Sequence, residues 1–422
     1  MKPTDSRRAT WSPPPRPDWV TRVNEEGRYL DLDSVVPLDE ASLLDAARRR
    51  TGLDDFGDTD WYAFFQVFIQ SLREEANLNL MGRLMTRSDL INMLAARLEI
   101  QETYRRHPEI EDERIERPLM IVGQGRTGTS FLLNLLSQDP DNGTLKHWEC
   151  VFPCPPPDSA TYATDPRIEQ VEALVGMWNR VNPDLRSYHE FYARVPTEAS
   201  HAMTLNFAGG PFLALLGQTP GHAAYVQKQG VVPALRYIKR VLKLLQWKNP
   251  HRRWVLKAPD AILFMPQLLE VFPDMHFIWT HRDPLKSADS VANMYGNCVW
   301  VRSDGPLIAG VLEQMLNADL AAELLSQPIR WMQAGIVPAE RVCNIRYLDL
   351  EADPVAEVTR MYRQFDVPLP ASARHAMEAF VAHEARRSRP RAAYQSGLGD
   401  RFQQEREKLR AYQEYFGVRS EI

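Results

Sequence analysis

Gly123, Gly125 and Gly128, followed at once by Thr129 and Ser130, stand between an apolar run and a helical one. Leu119 to Val122 is short and wholly apolar, as suits a strand buried on both faces. Beyond the glycines, Phe131, Leu132, Leu135 and Leu136 recur at helical spacing, so the stretch predicts strand, glycine-rich loop, helix. Such a stretch does one kind of chemistry well. The glycines let the backbone wrap an anion, and the helix N-terminus offers unpaired N–H groups and the positive end of its dipole. The spacing of Gly123, Gly128 and Ser130 fits the nucleoside-triphosphate loop G-x-x-x-x-G-K-[ST] except at the lysine, where Thr129 stands. The cation is Arg126, inside the loop, so the anion site remains but the lysine that reaches β- and γ-phosphates is gone.

A second group could bind an anion where another apolar run ends. His281-Arg282-Asp283-Pro284 follows Phe277 to Thr280, with Asp283 suited to cap a helix and Pro284 suited to its first position. Arg282 then sits beside a helix N-terminus, with Ser287 and Ser290 one turn apart on that helix. The H-R-D triplet also matches the protein-kinase catalytic loop, but Ala288 occupies the position where that loop needs asparagine, and no D-F-G occurs.

Arg126-Thr127-Gly128-Thr129-Ser130 resembles the R-[ST]-G-T-[ST] loop of the sulfotransferase superfamily, as found in many bacterial members and in tyrosylprotein sulfotransferases. Arg282-Asp283-Pro284, with Ser290 eight residues beyond Arg282, resembles that family's second motif. WVLKAPD, FPDMHFIWTHRDP and IRYLDLEADP resemble further family blocks, so the likeness runs roughly from Pro118 to Pro368. The resemblance implies 3′-phosphoadenosine 5′-phosphosulfate as donor. It implies that Gly125, Arg126, Thr127, Gly128, Thr129 and Ser130 hold the 5′-phosphosulfate, that Arg282 and Ser290 hold the 3′-phosphate, and that Tyr347 lies on the adenine side. It further implies that Lys257 lies near the transferring sulfonate, with Arg126 on the leaving-group side. For the base it points to Glu149, twenty-three residues past Arg126. The segment Lys257-Ala258-Pro259-Asp260-Ala261 lacks the histidine that many members carry there, and Asp260 and His147 are the other candidates. A nucleoside-triphosphate-dependent kinase or ATPase using the same loop is the alternative enzyme, and a non-catalytic nucleotide-binding protein the alternative of another class. Two separate anion sites favour a donor with a 3′-phosphate over a triphosphate.

Composition narrows the partners. A net charge of −5 on 422 residues, with no basic run interleaved with aromatics, argues against general nucleic-acid binding. The expected partner is a small hydroxyl-bearing acceptor. No metal site is expected, since the four cysteines are scattered and Cys150 and Cys154 flank a proline-stiffened loop. No stretch gives eighteen uninterrupted apolar residues and the N-terminus has no apolar leader core, so the expectation is a cytoplasmic protein with reduced thiols.

The elements that must position these residues follow from periodicity. Residues 1–35 predict an irregular arm, 36–115 a helical extension, and 116–422 the α/β domain. In the extension, Asp39 or Ser42, Asp58 or Asp60, and Ser88 are candidate caps for three helices, and Trp61, Phe64, Phe65, Phe68 and Ile69 form an apolar stripe. Beyond the loop, Asn142-Gly143 predicts a turn. Arg253 to Lys257, Met275 to Thr280 and Arg341 to Tyr347 predict strands alternating with helices. The expected fold is a three-layer, P-loop-like α/β domain with a central, mostly parallel sheet and a helical N-terminal extension packed on it. Ligands in such sheets sit outside the carboxyl ends of the strands, so Arg126, Lys257, Arg282 and Tyr347 should converge there. Phe191 to Phe212 is the candidate acceptor lining, and Tyr394 and Gly397 fall where relatives carry a lid-like loop.

Overall fold

A computed structural model describes residues 12–185, 191–305, 307–308, 311–386 and 402–421, so Tyr394 and Gly397 lie outside the described residues. Five strands form one parallel sheet: β1 (Leu119–Gly123), β2 (Asn142–Gly143), β3 (Arg253–Lys257), β4 (His276–His281) and β5 (Val342–Arg346). Their order is β2-β3-β1-β4-β5. The chain leaves central β1 for one side of the sheet and later crosses to the other, which opens a crevice above the carboxyl end of β1.

Alternation along the strands accounts for the layers. Leu119 and Ile121 of β1, Val255 of β3, Ile278 of β4 and Ile345 of β5 join one buried cluster with Leu132, Leu136, Val358 and Met361. Met120, Val122, Leu256, Phe277 and Trp279 point the other way, into a larger cluster with Val241, Leu245 and Leu268. Both faces are covered, as parallel sheets require. That larger cluster also takes in Phe65, Phe68, Leu94 and Leu98, so the helical extension and the sheet share one core.

The sequence expectations need correction in several places, among them the helix Tyr62–Glu74, whose N-cap is Trp61 without a side-chain cap and not Asp58 or Asp60. Residues 18–27 are a helix, not irregular arm: Val20 is fully buried and Asn24 Oδ1 accepts from the Met81 amide at 3.1 Å. The prolines just before it masked a short amphipathic turn. The long helix Leu80–Arg106 is capped by Asn79, whose side chain accepts from the Gly82 amide, so Ser88 lies in its interior. Asn142-Gly143 is the edge strand, held by a buried network in which Arg253 reaches Asn142 at 2.6 Å and Asp139 at 2.9 Å, and the Tyr362 hydroxyl donates to Asp139 at 2.9 Å. Those partners are far away in sequence, so a turn dipeptide was all the local chain could announce.

Candidate active site

The loop after β1 has the conformation its glycines allow. Gly128 caps the helix Thr129–Leu136 at φ 88°, and a Cβ there would stand 3.2 Å from both Tyr347 and Leu350. Arg126 takes φ 70° without being glycine, a strained setting that costs roughly 1–2 kcal/mol. Its side chain is held by a hydrogen bond from Nε to the Ser290 hydroxyl at 3.0 Å, and its carbonyl accepts from Arg282 Nη1 at 2.9 Å. Arg126, Ser290 and Arg282 therefore form one connected unit, although 156 residues separate the two arginines. Thr127 is buried and turned inward, donating to the Gln124 carbonyl at 2.7 Å and lying 2.6 Å from the Thr280 hydroxyl, so its side chain ties the loop to β4.

Arg282 follows β4, and Asp283 caps the next helix with Pro284 at its first position. The guanidinium lies 3.9 Å over the Tyr347 ring, which follows β5. Its Nε and Nη2 donate to the two carboxylate oxygens of Glu421 at 2.8 and 2.7 Å.

Lys257 ends β3 and is buried. Its ammonium donates to Ser130 Oγ at 3.3 Å, at the start of the loop helix, and to the carboxylate of Glu198. Asp260 stands three residues on, with Oδ1 buried and without a hydrogen-bond partner. Burial, then the Glu198 charge, push the Asp260 carboxyl up to about 7. The two arginines, Lys257 and Tyr347 thus all lie at the carboxyl ends of strands, linked through Ser290, Ser130 and the cation over the ring.

Glu149, to which the family resemblance points for the base, is engaged on both carboxylate oxygens. Its Oε2 accepts from the Lys146 amide at 2.7 Å, at the start of the helix His147–Val151, and its Oε1 accepts from the Tyr162 hydroxyl at 2.8 Å. Burial pushes this carboxyl up to about 7, against those two hydrogen bonds. A carboxyl raised on folding holds its proton more tightly in the folded chain. Its contribution to stability is fully present below about pH 4.5 and is lost as pH rises toward 7. Glu149→Gln should flatten this loss by on the order of 2 kcal/mol between pH 5 and pH 7.5, read by urea unfolding. Equal losses in both proteins would remove Glu149 as the cause.

His147 lies against His201, ring centroids 4.4 Å apart, and His201 stacks on Phe212 at 4.2 Å. Met93, Val175 and Trp178 complete an apolar lining beside them. Burial and then His147 hold the His201 imidazole well below its usual range, so it is neutral, and its Nδ1 has no hydrogen-bond partner. Glu198 is the N-cap of the short helix that carries His201. The sequence reading missed Glu198 because nothing local marks it: it meets Lys257 across 59 residues.

A glycine-rich loop at the crevice of a parallel sheet, with arginines and a lysine converging on it, is suited to an anionic ligand. The sulfotransferase family model matches residues 118–371, and the chain belongs to that family. It is 26% identical to the sulfotransferase STF9 from Mycobacterium avium, whose structure superposes with a TM-score of 0.75 over 91% of this chain and 98% of that one. STF1 from Mycobacterium tuberculosis H37Rv is likewise 26% identical, with a TM-score of 0.72 over 88% of this chain and 98% of that one. The omega-hydroxy-beta-dihydromenaquinone-9 sulfotransferase Stf3 of Mycobacterium bovis and of Mycobacterium tuberculosis is 27% identical over 256 residues. That match spans 58% of this chain and 62% of each relative's length. Among the described residues no helix is long and apolar enough to cross a membrane.

Proposed function

We propose that this protein transfers a sulfuryl group from 3′-phosphoadenosine 5′-phosphosulfate to the hydroxyl of a small acceptor with an apolar body. The observation that carries this reading is the Lys257 ammonium, which touches both the loop helix at Ser130 and the carboxylate of Glu198. An acid and a cation thereby meet at the mouth of an anion site, which is what sulfuryl transfer demands. The acceptor oxygen forms a bond to sulfur as Glu198 takes its proton. The bond from sulfur to the 5′-phosphate oxygen breaks, and that oxygen keeps the electron pair. Lys257, Arg126 and the loop N–H groups meet the charge that gathers there. Asp260, raised to about 7, is largely relieved of its charge below neutrality, which spares Glu198 a like-charge neighbour. Gly125, Gly128, Thr129 and Ser130 hold the phosphosulfate, while Arg282, with Ser290 and Tyr347 beside it, holds the 3′-phosphoadenosine end.

The apolar lining around His201, reached from Glu198 along one short helix, supports an acceptor with a hydrophobic body. The Stf3 relatives are named for an omega-hydroxylated dihydromenaquinone, an acceptor of that chemistry. Transfer of radiolabelled sulfate to phenols, sterols and isoprenoid alcohols tests the reaction, and no labelled product from any of them would remove it. Calorimetry tests the donor: adenosine 3′,5′-bisphosphate should bind more tightly than ATP with Mg²⁺, and the reverse order would favour the triphosphate-using alternative. Arg282→Ala should weaken the bisphosphate by about 10- to 100-fold, the worth of a charge-assisted contact. It should leave adenosine 5′-phosphosulfate, which lacks the 3′-phosphate, nearly unchanged, and equal losses would reassign Arg282.

A further inference from the structure

The edge of Arg282 that a phosphate would take is filled by the chain itself. Nε and Nη2 of a guanidinium form a two-donor fork that suits phosphate and carboxylate alike. Glu421 engages that fork with both oxygens, at 2.8 and 2.7 Å, and both side chains are largely buried by the contact. The contact is reached by a well-seated path. Phe416 of the terminal helix Phe402–Phe416 stacks on His281 at 4.0 Å, and the Tyr412 hydroxyl lies 2.8 Å from His281 Nδ1. Arg406 of the same helix donates to both oxygens of the fully buried Asp283, at 2.7 and 2.9 Å. The helix end then turns through Gly417 at φ 64°, and the Val418 amide donates back to the Gln413 carbonyl at 2.8 Å. The Glu421 amide donates to Asp283 Oδ2 at 2.8 Å. The backbone of the tail is therefore fixed by Asp283, independently of what the Glu421 side chain does. Arg282, Arg346, Tyr347, Arg419 and Glu421 line one pocket on this edge of the sheet.

We propose that Glu421 is an autoinhibitory carboxylate seated on Arg282 in the subsite for the donor's 3′-phosphate, and that the donor must displace it to bind. This rests on the proposed function above, in which Arg282 holds that phosphate. Two anions cannot share one guanidinium fork, so a closed population with Glu421 on Arg282 lowers the apparent affinity by the fraction that is open. A nucleotide with a 3′-phosphate competes for the fork. One without it can leave the carboxylate in place. The tail thereby makes occupancy of the donor site depend on the group that distinguishes this donor from other adenylates.

The test is calorimetry of the full chain with adenosine 3′,5′-bisphosphate and, separately, adenosine 5′-phosphate, in the wild type and in Glu421→Gln and Glu421→Ala. Both substitutions keep the backbone bond to Asp283. Gln keeps an acceptor without the charge, and Ala removes the group. The bisphosphate should bind about tenfold more tightly to Glu421→Ala than to wild type, with Glu421→Gln tightened in the same direction. The monophosphate should bind all three proteins alike. If the bisphosphate is preferred over the monophosphate but neither variant binds it more tightly, the carboxylate proposal is overturned and the donor reading stands. Weaker bisphosphate binding in both variants overturns it too, because Glu421 would then be positioning Arg282. If no protein, wild type included, prefers the bisphosphate to the monophosphate, the donor reading fails, and the proposal with it.

Discussion

Glu198→Gln lowers kcat by about 10²- to 10⁴-fold at saturating donor and acceptor, the worth of a positioned general base, while donor affinity changes by only a few-fold. Glutamine keeps the shape and one acceptor for Lys257 but cannot take the acceptor's proton. The loss should shrink for acidic phenols, which need little help losing theirs. That dependence separates a base from a residue that only positions Lys257, because a misplaced ammonium would slow acidic and ordinary phenols alike. The matching substitution at Glu149 should leave kcat within a few-fold, since both oxygens of Glu149 are engaged by Lys146 and Tyr162. A large loss at Glu149 with none at Glu198 would return the base to the position first suggested by the sequence. Asp260→Asn offers a further check on the coupling. Asp260 is already largely uncharged below neutrality, so making it permanently neutral should leave the acid limb of the pH profile for kcat in place, and a move of that limb to lower pH would mean that Asp260 carries its charge there.

Arg126→Ala should depress kcat by about 10²- to 10³-fold, the scale found when one preorganised charge-stabilising donor is removed, with a smaller effect on donor binding. Its contacts strengthen as charge moves onto the leaving phosphate, so the loss belongs to the transition state and persists at saturation. Arg126→Gly distinguishes charge from conformation. Residue 126 sits at φ 70°, where glycine is unstrained, so the Gly variant should fold at least as stably as the Ala variant and yet turn over as poorly. Recovered turnover in the Gly variant would mean that loop geometry, and not the guanidinium, carries the effect. Thr127→Ala predicts a different outcome. Its hydroxyl ties the loop to the Gln124 carbonyl and to Thr280, so the variant should lose thermal stability first and activity only through a looser loop.

Much of the architecture was readable from short stretches. An apolar run ending in Gly123, a helix beginning at Thr129, and strands ending at Lys257, His281 and Arg346 are local properties, set by which side chains can be buried and which backbone turns need glycine. Parallel strands separated by helices then dictate that residues following each strand share one edge, so Arg126, Lys257, Arg282 and Tyr347 could be assigned to a common site before any contact was known. The terminal helix was legible as a helix. Its charged composition did not disclose that Leu409 and Tyr412 are buried or that its tail ends on Arg282.

The sequence by itself determined the strand, glycine-rich loop and helix on which the proposed donor site rests, because they are built from consecutive residues whose backbone conformation is local. Only the tertiary structure decided which acids face the cations. Glu149 lies near the loop in sequence, yet its helix start and Tyr162 claim it. Glu198 and Glu421 reach Lys257 and Arg282 across 59 and 139 residues. A carboxylate carries no mark of its partner: what it pairs with depends on which elements pack together and how deeply they bury the pair, and that is set by the whole core.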